Sequence, residues 1–255
     1  MENHVLIRID GLVKRFPMGQ GEFTALRDIS LTIGRVVFPD PLGPTNPVNS
    51  PLPMVSELVG PSGSGKTTLL NIVGSLDVPT EGAVVVDGRS VGRLTTREAA
   101  QLRKERLGFI FQSYNLLAVH TVYENVEFPL LLLKIPAEER RRMVMDALEW
   151  VGLVPKVKSK PPQLSGGECQ RVAIARAMVK KPSLVLADEP TANLDAANSH
   201  HILQTMEKLN RELGTTFLFA THDDKVISYL RRKIYLLDGR VDKDEIIVVS
   251  KTESL

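Results

Sequence analysis

Apolar residues recur at regular spacing near the start of the chain. Val5, Ile7 and Ile9 repeat with a period of two, and a charged residue follows the second and the third. This period is typical of a half-buried strand. Residues 5–33 therefore predict two or three strands, with turns at 17–21, where proline and glycine cluster.

From residue 58 onward, short apolar runs alternate with segments of helical spacing, in which Met143, Ala147, Leu148 and Val151 share one face. These patterns predict strands at 54–59, 83–86, 107–111, 184–187 and 216–220, and helices that begin near 66 and span 140–151, 168–179 and 199–213. Strands that alternate with helices predict an α/β fold with a parallel sheet. We expect residues 88–160 to form an inserted, mainly helical subdomain.

Residues 35–53 differ from the rest. They contain six prolines, together with the turn formers Gly43, Asn46 and Asn49. Proline fixes φ and lacks an N–H donor, so we expect an irregular loop here instead of a helix or central strand. In the strand that follows, Glu57 would place a charge in a normally buried position, which is costly unless it reaches solvent or a basic partner.

The composition of the chain limits the classes of protein to which it can belong. The 255 residues include 32 Lys and Arg against 30 Asp and Glu, a net charge of +2, which is not the strongly basic footprint of a nucleic-acid binder. The single cysteine, Cys169, excludes an intrachain disulfide. The longest apolar run, 128–133, is far shorter than the roughly 20 residues of a spanning helix, so we expect membrane contact only through a partner.

A glycine-rich segment after the strand at 54–59 has the pattern of a phosphate-binding loop. Its residues are Gly60, Pro61, Ser62, Gly63, Ser64, Gly65, Lys66 and Thr67, with Thr68 next. Glycines let backbone N–H groups converge on phosphate oxygens, and the helix that follows directs its N-terminus at the same anion. Lys66 would reach the β- and γ-phosphates and the Thr67 hydroxyl would ligate Mg²⁺. The alternative, a flexible surface turn, is disfavoured by the flanking strand and helix.

Two acidic residues follow the apolar strand at 184–187. This strand would deliver Asp188 to its carboxyl end, where the carboxylate can bind Mg²⁺. Glu189 would then polarise the attacking water. A strand that ends in an acidic turn is common, so this interpretation depends on the presence of the phosphate-binding loop.

Ser165, Gly166 and Gly167 precede the helix at 168–179. Ser165 is a suitable helix N-cap. A cap alone does not require two glycines, which weaken a helix, and the pair therefore suggests close approach of a second phosphate.

Together these motifs resemble the ABC ATPases, and the resemblance covers nearly the whole chain apart from 35–53. It implies a single α/β P-loop NTPase domain with a RecA-like parallel-sheet core, an N-terminal antiparallel β-subdomain and an inserted helical subdomain. The implied boundaries are 1–87 and 161–255 for the core with its β-subdomain, 88–160 for the helical insertion, and 35–53 for an atypical proline-rich insertion.

The resemblance also implies roles for single residues. Phe16 would stack on adenine, Gln112 would contact Mg²⁺ and sense a transmembrane partner, Asp195 would lie in a loop that crosses to a second subunit, and His222 would contact the γ-phosphate. The candidate nucleotide-binding residues are thus Phe16, Gly60, Pro61, Ser62, Gly63, Ser64, Gly65, Lys66, Thr67, Thr68, Ser165, Gly166, Gly167 and Asp195; the candidate metal ligands are Thr67, Gln112 and Asp188; and the candidate catalytic residues are Glu189, His222 and Gln112.

Residues 109–117, 121–126 and 187–195 are similar to the lipoprotein-releasing and macrolide-export branch. This similarity implies an ATP- and Mg²⁺-dependent head-to-tail homodimer that drives transmembrane permease subunits from the cytoplasmic face of the inner membrane. Two other hypotheses are a soluble ABC ATPase acting on DNA or the ribosome, and a nucleotide-binding module impaired by the 35–53 insertion. A single phosphate-binding loop, one cysteine and no long heptad run favour the transporter subunit over the soluble ATPase.

Overall fold

The computed structural model describes residues 5–35, 55–221 and 232–246. Nearly all of the proline-rich segment predicted at 35–53 lies outside these ranges, as does His222, which was predicted to contact the γ-phosphate. The elements are, in chain order, β1 (Val5–Met18), β2 (Gly21–Gly34), β3 (Val55–Val59), α1 (Lys66–Val73), β4 (Glu81–Val86), β5 (Arg89–Ser90), α2 (Thr96–Arg106), β6 (Leu107–Ile110), α3 (Val122–Leu132), α4 (Ala137–Trp150), α5 (Gly166–Met178), β7 (Leu184–Asp188), α6 (Ala196–Leu213), β8 (Thr216–Thr221), β9 (Arg232–Leu237) and β10 (Arg240–Ile246).

The described N-terminal strands form an antiparallel sheet of order β2-β1-β4-β5. Strands β1 and β2 make a hairpin whose register pairs Phe16 with Phe23 next to the turn. The predicted turn at 17–21 is thus the hairpin connection, with Gly19 at a φ of +59°. The apolar face of this sheet, which includes Ile7, Ile9 and Leu12, is fully buried.

The larger sheet has the order β10-β9-β3-β8-β7-β6 among the described residues. All its neighbouring strands are parallel except β9 and β10. Strand β8 is buried along its whole length and β7 along all but its last residue. Both strands are nearly continuous apolar runs because a parallel sheet is covered on both faces. The carboxyl ends of β3, β7 and β8 meet at one edge, and the predicted α/β P-loop fold is confirmed.

Two features of this sheet differ from the sequence analysis, and a third, at Glu57, decides between two alternatives that it left open. The hairpin of β9 and β10 was not predicted: the short apolar run 234–237 of β9 was overlooked, and β10 is mostly charged. Strand β6 pairs with β7 although it lies inside the predicted helical insertion 88–160, so residues 107–110 belong to the sheet. Glu57 does not reach solvent: it is 1% exposed, and the buried Lys233 of β9 stands in register with it.

Helix α5 is central to the helical layer. It contacts α3, α4, α6 and β6, and nearly every side chain on its inner turns is buried. A large core that includes Val172, Met178 and Leu148 forms where α5 packs between the sheet and the pair α3 and α4. Because α5 is enclosed on most sides, its buried polar side chains must find partners within the protein.

Lys180 lies just after α5 and connects it to α2. Its Nζ donates hydrogen bonds to the carbonyl oxygens of Arg103 (2.7 Å) and Lys104 (2.9 Å) in the last turn of α2. Burial disfavours the charged amine and lowers the pKa of Lys180 from 10.5 to about 8.

We predict a pH dependence of stability from Lys180. Between pH 8 and pH 10.5 the unfolded chain keeps a proton on Lys180 that the folded chain has released. Because the unfolded state binds more protons in this window, the free energy of unfolding rises with pH there. The free energy of unfolding of the native chain, minus that of Lys180→Met, should therefore increase from pH 8 to pH 10.5 and stay level below pH 8. Urea unfolding at several pH values measures it, with the exposed Lys208→Met as control; a flat difference would contradict the prediction.

Candidate functional site

A cleft of about 620 Å³ opens at the edge where β3 and β7 end. Its volume is within the roughly 300–1,000 Å³ range of small-molecule sites. The residues that line it are Phe16, Phe23, Ala25, Pro61, Ser62, Gly63, Ser64, Gly65, Lys66, Thr67, Thr68, Gln112 and Glu189. The antiparallel sheet, the glycine-rich loop and two loops from the parallel sheet thus share one cavity.

The glycine-rich loop connects β3 to α1. Gly63 and Gly65 have φ values of +80° and +102°, a backbone region that favours glycine. A Cβ at Gly65 would stand 2.6 Å from Leu26 Cδ2, and one at Gly60 would stand 2.2 Å from the Leu236 carbonyl oxygen. Glycine is therefore favoured at 63 by backbone conformation, at 60 by close packing, and at 65 by both.

Lys66, the first residue of α1, is 8% exposed. Its Nζ donates hydrogen bonds to the carbonyl oxygen of Gly60 and, at 3.0 Å, to that of Pro61. The ammonium group therefore lies within the concave side of the loop, where it adds a full positive charge to the N-terminus of the helix.

Thr67 and Asp188 bring two distant parts of the chain together. The Thr67 hydroxyl donates to the Asp188 carboxylate, with Oγ1 3.1 Å from Oδ2. Burial raises the pKa of Asp188, while the Thr67 hydrogen bond and the Lys66 charge oppose that change. Oxygen ligands of this kind suit Mg²⁺, and the amide of Gln112 borders the same cleft. The oxygen donors present therefore fit the ion that the sequence analysis expected.

Glu189 follows β7 in a left-handed conformation, with a φ of +50°. Its backbone N–H donates to the Ala220 carbonyl oxygen at 2.8 Å, and Thr221 Oγ1 donates to its Oε2 at 3.3 Å. These contacts from β8 direct the Glu189 side chain into the cleft beside Thr67.

Aromatic residues form the far end of the cleft. Phe16 is 37% exposed, and Lys14 Nζ lies 4.8 Å from its ring centroid while donating to Asp77 Oδ1 at 2.6 Å. Phe23 faces Phe16 across the hairpin and also lines the cleft. Lys14 and Phe23 are not among the site residues predicted from the sequence. The predicted hairpin turn was a signal for Phe23, because a turn at this position places Phe23 opposite Phe16.

Ser165, Gly166 and Gly167 do not line this cleft. Ser165 caps α5: its Oγ accepts from the Glu168 N–H at 3.2 Å, and Glu168 Oε2 accepts from the Ser165 N–H at 2.8 Å. A Cβ at Gly167 would stand 2.6 Å from Asn198 Oδ1. Packing against α6 therefore already requires glycine at 167, a reason that the sequence analysis did not consider.

Asp195 also lies outside the cleft and caps α6. Its Oδ1 accepts from the Asn198 N–H at 2.8 Å and its Oδ2 from Asn198 Nδ2 at 2.7 Å. These hydrogen bonds lower the pKa of Asp195. The predicted site residues thus form two groups, one in the cleft and one at the adjoining N-termini of α5 and α6.

Comparisons with known proteins agree with this geometry. Residues 54–192 match the family model of ABC transporters. The chain is 42% identical over 239 residues to the macrolide export ATP-binding/permease protein MacB 1/2 of Paracoccus denitrificans (strain Pd 1222). That alignment covers 94% of this chain and 33% of the relative, so the chain spans about a third of the relative's length.

Solved structures show the same fold. The dimeric bacterial ABC transporter cassette MJ0796 superposes with a TM-score of 0.82 at 38% identity, covering 94% of this chain and 98% of that one. The same cassette in a post-hydrolysis state, bound to ADP and Pi, gives a TM-score of 0.80 with the same coverage. CbiO1 from Clostridium perfringens, part of the complex cbiONQ, gives 0.80 at 27% identity, covering 94% of this chain and 88% of that one. The expected resemblance is confirmed: the chain belongs to the ABC transporter family, as an ATP-binding subunit.

Proposed function

We propose that the chain hydrolyses ATP as one of two identical subunits and thereby drives a transmembrane partner in export or substrate extraction. The observation that carries this proposal is the contact of Thr67 with Asp188, which sets Glu189 beside the glycine-rich loop. The similarity to a macrolide export protein supports the direction of transport.

The β- and γ-phosphates of ATP bind in the loop before α1. Backbone N–H groups of this loop and the N-terminus of α1 attract the anion, and Lys66 neutralises part of its charge. Phe16 stacks on the adenine ring from the opposite end of the cleft. Thr67, Asp188 and Gln112 would hold Mg²⁺, which would supply charge neutralisation on the phosphate oxygens.

Glu189 acts as the general base. A water oxygen forms a bond to the γ-phosphorus while the bond from this phosphorus to the β–γ bridging oxygen breaks, and the water proton passes to the Glu189 carboxylate. The products are ADP and inorganic phosphate. His222, which lies outside the described residues, is proposed to contact the γ-phosphate.

Two subunits complete each site. Ser165 and Gly167 lie outside the cleft of their own chain, at the N-terminus of α5, where free backbone N–H groups suit a phosphate. We place ATP bound to Lys66 of one subunit beneath Ser165 and Gly167 of the other, with the loop that contains Asp195 crossing between them. The dimeric state of the cassette MJ0796 supports this arrangement.

A second cavity, of about 260 Å³, offers a place for the membrane partner. Phe109, Phe111, Phe128 and Pro129 line it together with Arg176. Phe128 is 45% exposed, and Phe111 directly precedes Gln112 of the nucleotide cleft. A permease segment bound here would hold the chain at the cytoplasmic face of the membrane and would lie next to the loop of Gln112. In the described parts of the chain, no helix has the length and apolar character to span a bilayer.

The first prediction from this proposal concerns Lys66. Lys66→Ala should weaken ATP binding by at least about tenfold and abolish turnover, because a charge that faces the phosphates is lost. Calorimetric titration with ATP measures the affinity. Lys208→Ala, which removes an exposed lysine from α6, is the control and should bind ATP normally. Unchanged affinity in Lys66→Ala would count against the assignment of the loop.

The second prediction concerns Glu189. Glu189→Gln keeps the shape of the side chain but removes the base, so turnover should fall by about a hundredfold or more while ATP stays bound. Light scattering should then detect an ATP-dependent dimer. Glu207→Gln on α6 is the matched control and should leave turnover intact. Persistent hydrolysis and a monomer in Glu189→Gln would assign water activation to another group.

A third prediction tests the membrane partner. Phe128→Asp places a charge in an apolar cavity and should release the chain from the membrane fraction of cells that express it with its partner. Val154→Asp, at an apolar position of similar exposure (38%) outside the cavity, is the control. Co-sedimentation of the native chain with ribosomes or DNA, and not with membranes, would instead support the soluble role.

A further inference from the structure

Gln170 connects the helix α5 to the segment that contains Glu189. The residue lies in the second turn of α5 and is fully buried. Its Nε2 donates a hydrogen bond of 2.7 Å to the carbonyl oxygen of Pro190, the residue after Glu189. The same helix begins at the Ser165 cap, so one rigid element joins this cap to the backbone next to the proposed base.

The backbone at Glu189 needs such support. A φ of +50° is unfavourable for a residue other than glycine and persists only where the surroundings hold it. The Glu189 N–H is held by Ala220, and its carbonyl oxygen accepts from the Ala192 N–H at 3.3 Å. Gln170 provides the hydrogen bond to the next carbonyl group along the chain. Loss of the Gln170 hydrogen bond would allow the peptide between Pro190 and Thr191 to rotate, which would loosen the turn that holds Glu189 and let its carboxylate move.

The hydrogen bonding of Gln170 is also incomplete. Among the described residues, no donor reaches its buried Oε1. Asn125, an equally buried amide, shows the contrast: its Oδ1 accepts from the Leu117 N–H at 2.8 Å and its Nδ2 donates to the Thr121 carbonyl oxygen at 2.9 Å. A buried acceptor without a donor costs about as much as one hydrogen bond contributes. Stability alone therefore does not explain a glutamine at 170.

We propose that Gln170 is a positioning residue for hydrolysis, which holds Glu189 in its productive orientation through the Pro190 carbonyl group. The inference rests on the proposed function, in which Glu189 is the base. It adds a path within one subunit: a phosphate of the partner's ATP bound at Ser165 would act on α5, and α5 would act through Gln170 on the Glu189 of its own cleft.

The test is Gln170→Met, which keeps the length of the side chain and removes the donor. The kcat for ATP hydrolysis by the purified chain should fall by about tenfold or more, since a small displacement of a catalytic group has effects of this size. The ATP affinity should be unchanged, because Gln170 does not border the cleft. The melting temperature should fall by no more than about 2–4 °C, the shift for one lost hydrogen bond in a protein of this size, because the variant also removes the unpaired Oε1.

The matched control is Asn210→Leu. Asn210 is 1% exposed and its Nδ2 donates a hydrogen bond of 2.7 Å to the Thr215 carbonyl oxygen at the far end of α6. This variant loses an equally buried and equally short hydrogen bond, so its melting temperature should fall by a similar amount. Its kcat should be that of the native chain.

An unchanged kcat in Gln170→Met, or a fall no larger than that of Asn210→Leu, would overturn the inference. A parallel loss of ATP affinity would do the same, because it would indicate general disruption of the site. If Gln170→Met melts below the assay temperature, Gln170→Asn is used, in which the amide is one methylene too short to reach Pro190, and the same outcomes apply.

Glu189→Gln, assayed in parallel, separates the two proposals. If Glu189→Gln stops hydrolysis while Gln170→Met retains the native kcat, only the role of Gln170 is wrong. If Glu189→Gln hydrolyses ATP at the native rate, the proposed base is wrong, and the positioning role falls with it.

Discussion

The hydrogen bond from Thr67 to Asp188 is the contact on which the site depends. The two residues are 121 positions apart, and they meet because β3 and β7 are parallel strands separated only by β8. In a parallel sheet the carboxyl ends of all strands lie on one edge, so a hydroxyl that follows β3 and a carboxylate that ends β7 reach the same space. The order of the strands therefore also determines the position of Glu189, the next residue, and of the cleft.

The glycine-rich loop is held in shape from outside as well as by its own turns. The Gly239 N–H in the turn between β9 and β10 donates to the Ser64 carbonyl oxygen at 3.2 Å, and the Arg27 N–H donates to the Gly239 carbonyl oxygen at 2.7 Å. The turn between β9 and β10 therefore holds the loop, and strand β2 in turn holds that turn. A Cβ at Gly239 would stand 2.5 Å from the Ala25 carbonyl oxygen, which shows how closely these three backbones approach. The loop is thus preorganised by residues far away in the sequence.

The parts of the fold that can be predicted from the sequence are those determined by residues that are close together in the chain. Apolar runs such as 184–187 mark buried strands, and the glycine spacing in 60–65 marks the loop, since both reflect backbone and burial requirements of neighbouring residues. In the hairpin of β9 and β10, by contrast, only β9 carries an apolar run, at 234–237, while β10 is mostly charged and owes its regularity to strand pairing. The contacts of Lys14 with Asp77 and of Gln170 with Pro190 likewise join distant segments, and no pattern within either segment signals them. The glycine at 167 is evident in the sequence, but its close contact with Asn198, which favours glycine there, is evident only in the structure.

The contacts of α5 suggest how the two nucleotide sites of the proposed dimer could be coupled. Besides the contact of Gln170 with Pro190, its Arg176 donates to the carbonyl oxygens of Tyr114 (2.7 Å) and Asn115 (2.6 Å). Tyr114 and Asn115 both have positive φ values, so the loop after Gln112 is strained and held by this helix, as the backbone at Glu189 is. A packed helix moves as a unit, because its side chains interlock with those around it. A displacement of its N-terminus by a phosphate would therefore reach both strained loops at once, whereas separate side chains would have to be moved one by one. In the proposed dimer, such coupling would make hydrolysis depend on closure without any residue that contacts both nucleotides.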